Sequence, residues 1–133
     1  MKRTALALAT LATTAVGLWL LSVTFTVLPS RDPANVVMWR WTAAGFLGYA
    51  ALCAALLTAP APGAWLRRAV LLASLPALAC GAFALYAMAR RASAGGHFEG
   101  YVVLMGLVLL AHAASAIAYT LLSPASRAHV RAA

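Results

Sequence analysis

Apolar positions along the chain fall into four long runs, at about residues 4–28, 42–58, 69–89 and 101–122, separated by short segments rich in proline, glycine and arginine. Each run is close to the ~20 residues an α-helix needs to cross ~30 Å of hydrocarbon. None alternates with period two, as a barrel strand would, and an open strand would leave its backbone groups unpaired in lipid. Helices are expected. Pro29-Ser30-Arg31-Asp32-Pro33 closes the first run and Ala59-Pro60-Ala61-Pro62-Gly63 the second. The pairs Arg67-Arg68 and Arg90-Arg91 fence the third, and Ser123-Pro124 ends the fourth. The pattern predicts an all-α integral membrane protein in which residues 1–133 form a single domain of four transmembrane helices, arranged as two helical hairpins.

Composition narrows the function classes. Of the 133 residues, 65% are hydrophobic and 9% charged, against roughly 45–50% and 25% in an ordinary soluble domain. With a mean hydropathy of +0.91, the chain is neither disordered nor a typical water-soluble enzyme, because a small fold cannot hide so much apolar surface in one core. The ten lysines and arginines against two acids give a formal charge of +8. These cations stand in ones and twos between the apolar runs, whereas nucleic-acid binding needs a contiguous basic face. Helix anchoring at a bilayer explains them, and no nucleic-acid partner is expected.

Lys2-Arg3 followed by an apolar run is how secretory signals begin, but this run is too long for a signal core and no small-x-small site precedes Pro29. A retained anchor is expected. With the N-terminus inside, six cations (Lys2, Arg3, Arg67, Arg68, Arg127, Arg131) fall on the inner side and four (Arg31, Arg40, Arg90, Arg91) on the outer. The bias predicts a multi-pass protein of the cell inner membrane with both termini cytoplasmic. Its narrow margin also leaves dual insertion, and hence an antiparallel homodimer, open.

The stretch 35–41 is expected at the outer interface, with Trp39, Arg40 and Trp41 as anchors in the headgroup layer. Phe46-Leu47-Gly48-Tyr49-Ala50-Ala51-Leu52 and Phe98-Glu99-Gly100-Tyr101-Val102-Val103-Leu104 share F-x-G-Y-x-x-L at a separation of 52 residues. Both lie near the expected outer start of a run, so they form either a weak internal repeat of two parallel hairpins or a chance likeness.

The runs carry no Asp, Glu, Lys or Arg near their centres, so the membrane-embedded carboxylate on which proton-coupled transport usually depends is missing. His112 is the one ionisable group expected in mid-membrane, where apolar surroundings favour its neutral ring. It sits on a seam of helical spacing with Tyr101, Met105, Val108, Ser115 and Tyr119. Two readings are open. His112 is a hydrogen-bonding clamp between helices, or it is a haem ligand, a quinone partner or a proton relay. No second mid-membrane histidine completes a bis-His haem site within one chain. In the first run Thr10, Thr14, Gly17, Leu21 and Thr24, with Thr13 beside them, form a matching seam. Ser74, Ala77, Gly81 and Ala84 make a small-residue face on the third, where Pro76 predicts a kink. Cys53 and Cys80 form no CxxC pair and have no ligand cluster around them.

The outer loop from Arg90 and Arg91 to His97 and Glu99 is the most varied segment, with Gly95-Gly96 permitting a tight turn. His97 and Glu99 read either as an acid/base or metal pair with Asp32 or as solvated loop charges. No phosphate-binding glycine loop or nucleophile motif occurs, and an enzymatic role is not indicated. The leading expectation is an accessory or scaffold subunit that packs in the bilayer against other membrane proteins or against itself. The alternatives are a small homo-oligomeric transporter or flippase using His112, and a redox protein holding haem or quinone there.

Overall fold

The computed structural model of the chain describes residues 1–31, 33–96 and 99–122, with Ser30 and Arg31 described by their backbone. All the regular structure among them is helical: α1 (Lys2–Thr26), a short α2 (Leu28–Arg31), a 3-10 turn (Pro33–Asn35), α3 (Val36–Thr58), α4 (Ala64–Ser93) and α5 (Gly100–Leu122). Four segments, α1, the turn with α3, α4 and α5, are long and apolar enough to cross a membrane. Asp32, His97, Phe98, Arg127 and Arg131 lie outside the described residues.

The helices outrun the apolar runs because charge does not end a helix. α3 takes in Trp39-Arg40-Trp41, and α4 continues through both arginine pairs. What ends them is backbone chemistry. Ala59 donates its N–H to the Ala55 carbonyl (3.0 Å) and then turns extended (φ −64°, ψ 126°), as a residue before proline must. α4 runs unbroken through Pro76 and closes on Gly95, whose φ of +72° suits a residue without Cβ. The Gly96 N–H reaches the Arg91 carbonyl (2.9 Å) and the Gly95 N–H the Ala92 carbonyl (3.2 Å), the paired bonds of a Schellman cap.

α1 packs chiefly on α3 and α4 on α5, and the two hairpins meet mainly through α1 and α5, with a looser contact between α3 and α4. Arg3 Nη2 donates to the Leu57 carbonyl (3.1 Å), which sets the start of α1 beside the end of α3. Glycine sits at each close crossing. A Cβ on Gly17 of α1 would come within 2.9 Å of the Leu47 side chain of α3. One on Gly81 of α4 would come within 2.9 Å of the Gly106 carbonyl of α5, and one on Gly106 within 3.0 Å of the Gly81 carbonyl. Backbones can touch this closely only where side chains are absent.

The core is mainly apolar with a few polar side chains in it, and the outside is apolar too, unlike that of a water-soluble bundle. Thr10, Thr13, Thr24, Ser74, His112 and Thr120 are buried among Leu6, Phe46, Leu56, Val70 and Ala113, while Leu11, Leu72 and Phe83 are 67%, 67% and 69% exposed. The likeness between residues 46–52 and 98–104 does not mark equivalent places. Gly48-Tyr49 lies midway along α3, whereas Gly100-Tyr101 opens α5. α3 begins at Val36 and so carries its copy deep into the helix.

Candidate functional site

The buried polar side chains gather on His112 in the middle of the bundle. On α1, Thr10 and Thr13 are three residues apart and face α5 together. Thr13 Oγ1 lies 2.7 Å from His112 Nδ1, and Thr10 Oγ1 lies 3.2 Å from Nε2. Counting hydrogens assigns the roles. The Thr10 hydroxyl donates to the Leu6 carbonyl (2.7 Å), so towards His112 it can only accept, and Nε2–H is the donor. Nδ1 of the neutral ring is then the acceptor, and the Thr13 hydroxyl donates to it. The ring is fully buried with both nitrogens engaged.

The Tyr49 ring of α3 lies against the imidazole, with centroids 4.5 Å apart and planes tilted by 44°. Its hydroxyl lies 2.8 Å from Ser74 Oγ of α4. Ser74 donates its own proton to the Val70 carbonyl (2.7 Å), so Tyr49 is the donor and Ser74 the acceptor. One polar string, Thr10 and Thr13, His112, Tyr49, Ser74, thus touches all four long helices. Among the described residues no buried side-chain nitrogen or oxygen lacks a partner.

No family profile, curated protein or solved structure matches this chain.

The other expected site residues distribute as follows. Gly17 and Thr24 are buried with Thr10. Thr14 is half-buried and donates to the Thr10 carbonyl of its own helix (2.8 Å), leaving Thr13 and Leu20 on the buried face where the seam placed Thr14 and Leu21. On α5 the buried stripe runs Met105, Leu109, His112, Ala116 and Thr120, with Gly106 and Ala113 alongside, so Ser115 and Tyr119 lie at its edge. Gly81 is buried at the crossing with α5. Cys53 is buried and Cys80 exposed, on α3 and α4 respectively.

At the end of the bundle where α1 and α4 finish, Tyr101 packs between Trp19 and Trp39, 6.4 Å from each ring and tilted by 56°. Trp39 is half-buried, Trp41 is 75% exposed, and the Arg40 guanidinium lies over the Phe25 ring, 4.4 Å from its centroid. The Tyr101 hydroxyl donates to Glu99 Oε2 (2.7 Å) and Arg91 pairs with Oε1 (3.4 Å). Arg90 is exposed on the last turn of α4. Both acids' relation to His97 lies outside the described residues. Among the described residues no three His, Cys, Asp or Glu side chains group as a metal site.

Sequence reasoning missed Tyr49 and Ser74 as members of the string. A tyrosine in the middle of an apolar run needs a partner for its hydroxyl, and that was the available signal. Chemically the string links all four long helices by hydrogen bonds and one ring contact. An imidazole coordinates a haem iron through a free ring lone pair, and here the one lone pair is held by Thr13.

Proposed function

We propose that the chain is a multi-pass protein of the cell inner membrane, with both termini cytoplasmic, that acts as an accessory or scaffold subunit packing against other membrane proteins. The observation that carries this reading is the outward face of α3. A Cβ at Gly45 or Gly48 would meet nothing within 4 Å, and Ala44, Ala51 and Ala55 continue the same exposed strip of small side chains. Glycine inside a helix costs about 0.5–1 kcal/mol relative to alanine. Gly17, Gly81 and Gly106 offset that cost by close crossings within the chain. Gly45 and Gly48 have no internal crossing, and a flat glycine surface is what a partner helix packs on in lipid. Phe46, Leu52, Pro76 and Cys80 wall the groove of about 530 Å³ into which this face opens, between α3 and α4.

The many large apolar side chains exposed on the outside of the bundle support the membrane setting. The engaged nitrogens of His112 favour a subunit over a transporter or redox protein centred on that residue, since no bond is left for a substrate or cofactor. The test is native electrophoresis with cross-linking after extraction in a gentle detergent. The wild-type chain should migrate with other membrane proteins. Gly45→Ala/Gly48→Ala should release it without lowering its own melting temperature, because a Cβ at either position meets no internal neighbour. A wild-type chain that runs alone, or a double variant still held in the assembly, would overturn the reading.

A further inference from the structure

A second cavity, of about 380 Å³, lies at the end of the bundle where α1 and α4 begin and α3 and α5 finish. The other cavities have largely apolar walls, whereas this one is lined by Arg3, Thr58, Arg67 and Tyr119 together with Pro60 and Pro62. Its volume is within the ~300–1,000 Å³ of small-ligand sites. Arg3 is held at its rim by the bond to the Leu57 carbonyl (3.1 Å), one of the last carbonyls of α3 that lack a helical partner. Arg67 is half-buried, near the start of α4.

Among the described residues no carboxylate answers these two cations. Glu99 is taken by Arg91 at the opposite end. Asp32, the other acid, belongs to the connection from α1 to α3 and lies outside the described residues. Lys2 and Arg68 adjoin the pair in sequence. Arg3 is exposed and Arg67 half-buried, so an anion between them would meet one guanidinium from solvent and one from the wall of the cavity. The planar fork of a guanidinium matches the oxygens of a phosphate.

We propose that this cavity binds a phosphate-bearing anion between Arg3 and Arg67, supplied by the headgroup of an anionic phospholipid or as free phosphate. The chemistry does not depend on α3 having a partner helix, so the two proposals fail separately. Native mass spectrometry of the full chain in mild detergent tests it, with phosphatidylglycerol and phosphatidylcholine offered in equal amounts. Phosphatidylglycerol should be retained preferentially, and Arg3→Ala/Arg67→Ala should reduce its retention roughly tenfold. Arg40→Ala/Arg90→Ala, which removes the same charge from the opposite end, should retain it.

Adducts that persist in millimolar inorganic phosphate assign the site to a lipid headgroup, and adducts displaced by it assign the site to free phosphate. The proposal is overturned if Arg3→Ala/Arg67→Ala binds like the wild type. It is overturned equally if both lipids bind alike and phosphate binds nowhere, or if the control pair loses as much. Should the alanine pair fail to fold, Arg3→Lys/Arg67→Lys, which keeps charge but not the fork, answers the same question. A loss of about threefold or more supports the site and no loss overturns it.

Discussion

Replacing Thr13 by valine tests the central string most directly, because the substitution keeps the branched side chain and puts a methyl, which can donate nothing, in place of the hydroxyl. That hydroxyl donates to His112 Nδ1 at 2.7 Å. An interhelical hydrogen bond in a membrane protein is worth about 0.6 kcal/mol on average and up to about 1.7. Leaving the buried Nδ1 lone pair without a donor adds part of the ~1–3 kcal/mol cost of an unsatisfied polar atom. Thr13→Val should therefore cost about 1–2 kcal/mol. Thr14→Val is the control, since the Thr14 hydroxyl bonds only to the Thr10 carbonyl of its own helix, and its loss should stay within about 0.5 kcal/mol. His112→Phe keeps a ring but removes both nitrogens, and in a double-mutant cycle it should couple to Thr13→Val by about 1 kcal/mol and to Thr14→Val not at all. Reversible unfolding in mixed micelles, followed by circular dichroism, measures these differences. Coupling to Thr13 below about 0.3 kcal/mol, or a Thr14→Val as costly as Thr13→Val, would refute the assignment.

Three further outcomes follow from the same geometry. Gly81→Ala places a methyl 2.9 Å from the Gly106 carbonyl and should cost about 1–3 kcal/mol, while Gly48→Ala meets open space and should leave the melting temperature in detergent unchanged or raised. Titrating the purified protein with haem should give an absorption spectrum identical for the wild type and His112→Ala, because the wild-type ring has no lone pair to offer. A Soret band that depends on His112 would contradict the hydrogen count. Glu99→Gln weakens an exposed ion pair with Arg91 of 3.4 Å, so thermal melts should shift by less than the equivalent of about 1 kcal/mol.

The helical architecture was legible because the apolar runs are long and proline and glycine stop them sharply. The helix ends were less so, since Val36–Trp41 and the arginine pairs are compatible with a helix whether or not they lie in the apolar layer. The register of each buried face was the harder problem. On α1 the sets 10, 14, 17, 21, 24 and 10, 13, 17, 20, 24 are equally regular at helical spacing. Periodicity alone cannot choose between Thr14 and Thr13. The choice is made by His112, which needs a donor to Nδ1 from a helix more than ninety positions away in sequence. His112 itself stood out as the one ionisable group among apolar neighbours. Tyr49 and Ser74 did not, because a hydroxyl bond between α3 and α4 leaves no spacing signature in either helix.

Lipid offers helices no hydrophobic reason to prefer one another, so contacts and hydrogen bonds must select the arrangement. In this chain the two kinds of selection divide the work. Glycine crossings fix each hairpin, Gly17 against Leu47 in one and Gly81 against Gly106 in the other. The polar string then fixes the hairpins to each other, through His112 between α5 and α1 and through Tyr49 and Ser74 between α3 and α4. The contact between α3 and α4 is the looser of the two, and its groove borders Gly45 and Gly48. The Tyr49 to Ser74 bond is therefore the strut that sets the groove's width. A helix packed on Gly45 and Gly48 would meet a wall whose position is determined by the buried core.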